Sequence, residues 1–477
     1  MTRVTAPDPA PDAAPTLTTL AELRASGHQH VLVKDEVRAN LLARLRAGEP
    51  AFPGILGFDD TVVPQVERAL LAGHDLVLLG ERGQGKTRLI RTLVGLLDAW
   101  TPVVAGCEVN DHPYAPVCVR CQRLLAELGD STPVAWKHRS ERYGEKLATP
   151  DTSVGDLVGD VDPVKVAEGR TLGDPETVHY GLVSRTNRGI FSVNELPDLA
   201  ERIQVALLNV LEERDIQVRG YSLRLPLDLL LVASANPEDY TNRGRIITPL
   251  KDRFGAEVRT HYPLQLQDEI SVIRQEAVLG WPGAGVVVPD HLIEVVARWT
   301  RLVREAPQVD VRSGVSARFA VAASETLAAS ALPRQAVTGE PQAVARVCDL
   351  PSVVAAARGK VEFEQAEEGR ELEVLHHLLR RATADTFRAH LAGVDLSGLQ
   401  SRFEQGATVE TGDLVPAADL LAALGPVPGL ALLLQKLGVE EESPALAAAA
   451  LELALEGLHL HRRLGKDEVS GRTVYGS

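Results

Sequence analysis

Between residues 50 and 262 the chain alternates short, unbroken apolar runs with longer stretches in which apolar residues recur every three or four positions. Buried strands give the first pattern and amphipathic helices the second, so the region is expected to be an α/β domain. Its candidate core strands are "DLVLLG" (75–80), "PVAWKH" (133–138), "GIFSV" (189–193) and "LLLVASA" (229–235). Between the last two, Leu199, Ile203, Leu207 and Leu211 line one face of a helix. In "DIQVRGYSLRLPLD", Ile216 and Val218, then Leu223 and Leu225, flank Arg219-Gly220-Tyr221 with a period of two, which predicts a hairpin.

The pattern changes on either side of this region. Residues 17 to 48 have helical periodicity and run out at "GEPAFPG". Before them, the Pro-, Ala-, Thr- and Asp-rich opening lacks a basic-then-apolar export signal, so residues 1–20 are expected to be a disordered leader. From 266 onward helices dominate, in "QDEISVIRQEAVLG", "DHLIEVVARWTRLVREA" and "SARFAVAASETLAASAL". Residues 350–477 are also expected to be helical. One helix there has Ser443 as cap, Pro444 in its first turn and Gly465 beyond its end. The run Ala447 to Ala450 reads as helix core packing, and no internal repeat of about 20–50 residues is present.

Composition narrows the classes. At 477 residues, 45% apolar and 24% charged, the chain has the make-up of an ordinary globular protein with two to four domains. A formal charge of -15 argues against a general nucleic-acid binder, though it leaves room for one basic channel in an assembly. No run approaches the roughly 18 apolar residues of a membrane span. Four cysteines without an export signal predict a cytoplasmic protein with reduced thiols.

One motif carries chemistry on its own. "LVLLGERGQGKTRLIRTLVGLL" follows a strand and opens a helix, and Gly80-x4-Gly85-Lys86-Thr87 fits the phosphate-loop pattern at every fixed position. Gly80, Glu81, Arg82, Gly83, Gln84 and Gly85 would wrap phosphate oxygens with backbone N–H groups, with Arg88 following in the helix. Lys86 would neutralise the β and γ phosphates of ATP, and the Thr87 hydroxyl would ligate Mg²⁺.

A second cluster lies at residues 105–123. "GCEVNDHPYAPVCVRCQRLL" places Cys107, His112, Cys118 and Cys121 within 15 residues. Three thiolates and one imidazole would suit a structural, tetrahedral Zn²⁺, with Asp111 or a water as the alternative fourth ligand. The bland alternative is three reduced cysteines in a loop. Cys348 is isolated and expected to fill space in a core.

The order of elements resembles the AAA+ ATPases. Within them the likeness is to the magnesium-chelatase ATPase subunit and the related MoxR-type ATPases, over about residues 50 to 345. It rests on the phosphate loop, "TNRGIFSVNE", "VASANPEDY" and "LKDRF", and on "FPGILGFDDTVVPQV" as the nucleotide-base segment around Ile55, Gly57 and Asp59. The resemblance implies an αβα P-loop core with a mostly parallel sheet over 21–262, a helical lid over 263–345 and an additional helical region over 346–477. It implies Asn236 as the residue orienting the attacking water and Arg253 as an arginine finger reaching into a neighbouring subunit. Arg318 would touch the γ-phosphate from the lid. Arg243, Arg245 and Arg188 compete for such roles.

The family pattern carries Asp at 194, holding a Mg²⁺-bound water, and Glu at 195, activating the nucleophile. Here Asn194 replaces the first and Glu195 keeps the second. An amide oxygen still accepts a hydrogen bond from a metal-bound water, so hydrolysis is expected to persist. The resemblance further implies a remodelling motor in a ring, usually a hexamer, acting with a von Willebrand A domain protein. The hairpins at 160–188 and 216–225 would face the partner or the pore. Two alternatives follow: a nucleotide-gated scaffold without turnover, and a DNA- or transcription-associated ATPase. Against the latter, the chain has neither a GAFTGA-type loop nor a helix-turn-helix.

Overall fold

The computed structural model describes residues 13–161, 167, 177–213, 225–237, 245–281, 285–310, 314–439, 443–469 and 472–476. These fall into two compact units, one of residues up to 81 and 85–261, the other of 82–84 and 262 onward.

Among the described residues, nine strands belong to the first unit: β1 (Leu76–Leu79), β2 (Trp100–Val104), β3 (Val134–His138), β4 (Tyr143–Leu147), β5 (Gly159–Val161), β6 (Val178–Tyr180), β7 (Gly189–Asn194), β8 (Leu229–Ala235) and β9 (Ala256–Arg259). Five of them form a central sheet in the order β4-β7-β8-β1-β9, with every pairing parallel. β1, β7 and β8 are buried along their whole length, because an interior parallel strand has helices on both faces. Alternate residues serve the two faces. Val77, Leu79, Phe191, Val193, Leu231 and Ala233 pack with Ile203 and Leu207 of helix Glu201–Glu213. Leu76, Leu78, Ile190, Leu230 and Val232 pack with Val37 and Leu41 of helix Val33–Ala47, Val66 of helix Val63–Leu71 and Ile90 of helix Lys86–Thr92. The result is the three-layer αβα core anticipated from the sequence.

Three features differ from expectation. The run 133–138 does not join the central sheet; β3 pairs antiparallel with β2 in a separate two-stranded sheet. The edges are instead β4, "YGEKL", and β9, "AEVR", whose charged residues hid them from a search for apolar runs. The third concerns the expected leader. Residues 17–20 are anchored, with Leu17 O accepting from Trp136 Nε1 (2.8 Å), Thr18 O from Val134 N (2.8 Å), and Leu20 N donating to Thr132 O (3.0 Å). Thr19 closes a capping box with Glu22 at the start of helix Leu20–Ala25. The hairpin expected at 216–225 lies almost wholly outside the described residues. Of the region 160–188, β5 and β6 form an antiparallel pair at its base.

A buried ion pair secures the β4 edge. Both terminal guanidinium nitrogens of Arg142 donate to Glu36 at 2.7 Å, and its Nε donates to Arg188 O at 2.8 Å.

The second unit is helical around one continuous apolar cluster from Ile270 to Tyr475. No separation falls at 345/346: Arg334, before it, makes a buried bidentate pair with Asp349, after it, at 2.8 Å for both contacts. Ser443 caps helix Pro444–Leu460 as expected, accepting from Leu446 N at 3.4 Å, and Ala447 to Ala450 are buried. The C-terminal region is not purely helical, however. Gly465 opens a strand, and Val409–Thr411, Gly465–Val469 and Arg472–Gly476 form an antiparallel sheet. Its short strands are largely polar, so periodicity did not reveal them. Cys348 is half-buried beside Asp349. Among the described residues, no helix is long and apolar enough to cross a membrane.

Candidate nucleotide site

Parallel sheets place their loops at the carboxyl ends of the strands, and three such ends meet here. β1 runs through Gly80–Gly85 into helix Lys86–Thr92. Gly83 and Gly85 take φ of 75° and 74°, a region that side chains avoid. Such turns gather backbone N–H groups into an anion-binding concavity. Lys86 is buried, and its Nζ donates to Asn236 Oδ1 (2.9 Å), to Glu81 O (2.7 Å) and to the Gly80 carbonyl. Asn236 is itself buried, one residue beyond β8. The neighbouring strand tips are joined by Gly80 N donating to Ala235 O at 3.1 Å. Gln84 and Gly80 are buried, Glu81, Thr87 and Arg88 half-buried, and Arg82 exposed. Ile55 packs on the apolar cluster containing Phe52 and Phe58.

The third tip is β7. Asn194 closes the strand, and Glu195 follows with φ 56° and ψ 48°, a left-handed conformation unusual for a side-chain-bearing residue. Ser234 spans both residues: its Oγ donates to Asn194 Oδ1 (3.3 Å) and accepts from Glu195 N (3.3 Å). Asn194 Nδ2 donates to Glu145 Oε1 on β4 at 2.6 Å. Arg91, from the phosphate-loop helix, grips the same carboxylate at 2.9 and 3.0 Å, and Tyr143 Oη donates to it at 3.1 Å. Burial opposes ionisation of Glu145, but the Arg91 contacts prevail and hold its carboxyl below the usual range. An aspartate at 194 would press a second carboxylate against Glu145. The amide is the side chain this neighbour accepts.

Glu145, Arg91 and Ser234 were missed from the sequence. They reach the site through strand register, and no spacing along the chain marks them. Of the arginines, Arg253 ends helix Thr248–Arg253 and Arg318 lies in the first turn of helix Ala317–Thr338, both exposed. Arg245 is exposed as well, and Arg243 lies outside the described residues. Arg188 is structural. It is buried, donating to Pro102 O (2.6 Å) and Thr101 Oγ1 (2.5 Å), and burial lowers its pKa to about 10.

In the insert, Cys107, Cys118 and Cys121 converge with Asp111, their ligand atoms all within 4.8 Å of one another. His112, the expected fourth ligand, is not part of this group. Its ring stacks on His28, with Nε2 atoms 3.2 Å apart, and its centroid lies 4.2 Å from that of His30. Burial drives the His112 pKa down to about 2. The step of one residue from Asp111 to His112 reverses which side chain faces the sulfurs.

A buried lysine, glycines at positive φ and a first-turn hydroxyl form a donor set suited to a nucleotide triphosphate with Mg²⁺. With the sheet order, they give the molecule the αβα P-loop core of the AAA+ fold. The chain is, more narrowly, similar to the magnesium-chelatase ATPase subunit. It is 29% identical over 259 residues to the magnesium-chelatase 38 kDa subunit of Acidiphilium rubrum, covering 52% of this chain and 62% of that one. It is 30% identical over 206 residues to magnesium-chelatase subunit ChlI of Guillardia theta, covering 42% and 55%. The chain thus spans about three fifths of the length of such relatives. The Sigma-54 interaction domain model matches residues 170–253. Among solved structures, a chain of the BchI–BchD complex of magnesium chelatase aligns over 68% of this chain and 98% of its own, at 21% identity and TM-score 0.35. NtrX from Brucella abortus aligns over 76% and 72%, at 16% identity and TM-score 0.40.

Proposed function

We propose that the chain binds Mg·ATP on the phosphate loop and hydrolyses it to drive a remodelling step. The observation that carries this reading is the buried Lys86–Asn236 link, which brings the phosphate-loop ammonium to the tip of β8. Gly80, Glu81, Arg82, Gly83, Gln84, Gly85, Lys86, Thr87 and Arg88 would hold the phosphates, and Ile55 would flank the base. Thr87 and Asn194, the latter through water, would hold Mg²⁺, which supplies charge neutralisation at the phosphates. Glu195 takes the proton of the attacking water at its carboxylate, and Asn236 orients that water. Arg318 supplies positive charge from the lid. Zinc has no part in this chemistry.

In this reading the protein is a cytoplasmic motor of the chelatase/MoxR type, built as a ring, in which Arg253 completes the neighbour's site. Its partner would carry a von Willebrand A domain. Phosphate release measured on the wild type and on Glu195→Gln tests the proposal. Release is expected from the wild type and should fall at least 100-fold in the mutant, which keeps its nucleotide affinity. No release from either at any protein concentration would replace the motor by a nucleotide-gated scaffold, and equal release from both would remove Glu195 from the chemistry.

A second reading is favoured by the Sigma-54 interaction domain match, which spans β7 and the 229–253 region. A transcription-associated ATPase would capture RNA polymerase in the presence of ATP, whereas the motor would co-purify with the von Willebrand A protein.

A further inference from the structure

The insert after β2 contains a built site that phosphoryl transfer does not use. Cys118 caps helix Val119–Leu128, Cys121 lies in its first turn, and Cys107 approaches from the preceding loop. Cys107 Sγ and Cys118 Sγ are 4.0 Å apart, too far for the roughly 2.05 Å of a disulfide. Tetrahedral zinc, with bonds of about 2.3 Å to sulfur and about 2.0 Å to oxygen, needs ligand atoms roughly 3.5–3.8 Å apart. The observed group is slightly looser and needs only a small contraction. Two sulfurs already accept backbone N–H groups, Cys107 Sγ from Asp111 N (3.3 Å) and Cys118 Sγ from Cys121 N (3.4 Å). Such bonds favour thiolate charge and fix the sulfurs in place.

Asp111 supplies the second and independent observation. Its side chain is 1% exposed, and Oδ2 accepts from Cys118 N at 2.9 Å. Oδ1, fully buried, has no hydrogen-bond partner among the described residues. A buried carboxylate oxygen in that position is costly unless it meets a cation. It belongs to the same tight group as the three sulfurs.

We propose that Cys107, Asp111, Cys118 and Cys121 form a closed structural zinc site, with Asp111 as the fourth ligand. The thiols lose their protons to solvent on binding, and four protein ligands leave no open position for catalysis. Three thiolates and a carboxylate on a dication leave a net negative charge. Arg120, bonded to Gly106 O at 3.1 Å and 4.0 Å from Cys121 Sγ, offsets part of it, and so does Lys137, bonded to Asn110 Oδ1 at 2.7 Å. The site also has mechanical reach. Asn110 Nδ2 donates to Arg185 O (2.6 Å) and Asn187 O (3.3 Å), while Asn187 Nδ2 donates to Val109 O (2.9 Å). These bonds tie the metal loop to the segment that feeds directly into β7. The zinc would therefore stiffen the approach to Asn194 and Glu195.

The test is zinc content of the full chain, purified in reducing, metal-free buffer, read by elemental analysis and by cobalt substitution. No nucleotide is present, so the result is independent of the ATPase reading. About one zinc per chain is expected in the wild type and in His112→Ala, with at least a five-fold drop in Asp111→Ala and Cys118→Ser. Asp111→Cys should keep full zinc, and its cobalt form should show stronger thiolate absorption than the wild type's. That variant keeps the test decisive if Asp111→Ala fails to fold. Zinc-free wild type, full zinc in Asp111→Ala, or loss in His112→Ala to the level of Cys118→Ser would each overturn the assignment.

Discussion

Asn194 shows how one side chain can be read wrongly from its column in a family pattern. As a lone substitution, an amide for a carboxylate looks like damage to a metal site. In place, its Nδ2 meets Glu145 at 2.6 Å and its Oδ1 takes a bond from Ser234, so both ends of the amide are used. Asn194→Asp would set two carboxylates in contact, and like charges that close disfavour ionisation of both. The expected outcome is a stability loss of about 1–3 kcal/mol with no gain in phosphate release. Adding Glu145→Gln to Asn194→Asp should recover most of that loss, since the new amide can donate where the carboxylate could not. Thermal melts of the two variants beside the wild type check this, and a single mutant as stable as the wild type would show that Glu145 places no demand on position 194. The proposed zinc site was legible at the residue scale only in part. The cysteines announced themselves by spacing, but Asp111 and His112 are adjacent, and only the loop's backbone decides which faces the sulfurs.

At the scale of elements, helices hold the sheet edges by charge as well as by apolar contact. Helix Val33–Ala47 sends Glu36 to Arg142 at the foot of β4, where both side chains are buried. Removing one partner strands the other in low dielectric. Glu36→Ala should therefore lower stability by about 3–5 kcal/mol, whereas Glu36→Leu with Arg142→Met should cost far less. Denaturant unfolding followed by tryptophan fluorescence measures both, and equal losses for the single and double variants would refute a charge-based account. The same elements explain what the sequence revealed of the sheet. β1, β7 and β8 are continuous apolar runs because both faces are covered, and they stood out at once. β4 and β9 carry Glu145, Lys146, Glu257 and Arg259 because edges face partners or water, so their sequences match loops equally well. β3 has the reverse problem. Its apolar and aromatic residues look like core, but they pack in a two-stranded annex with β2.

For the whole molecule, the central question is where the guanidinium that completes the site comes from. Arg253 ends a short helix between β8 and β9, with its side chain 44% exposed and 3.6 Å from Asp252. An exposed arginine in this place costs little to hold and can serve a site on another copy, as a head-to-tail ring requires. If so, activity belongs to interfaces and not to chains. Arg253→Ala should bind nucleotide normally yet release phosphate at least 100-fold more slowly, as expected for loss of a finger. Glu195→Gln fails for the opposite reason, having a finger but no base. Mixing the two inactive proteins should restore turnover, because an Arg253 from one can complete a Glu195 site on the other. Random assembly at equal amounts leaves about a quarter of the interfaces with both groups intact, so recovery to about that fraction of wild-type activity is expected. Phosphate release across a mixing series measures it. A flat, inactive series would place Arg253 in its own chain's site or outside the chemistry, and with that the argument for a ring would lose its main support.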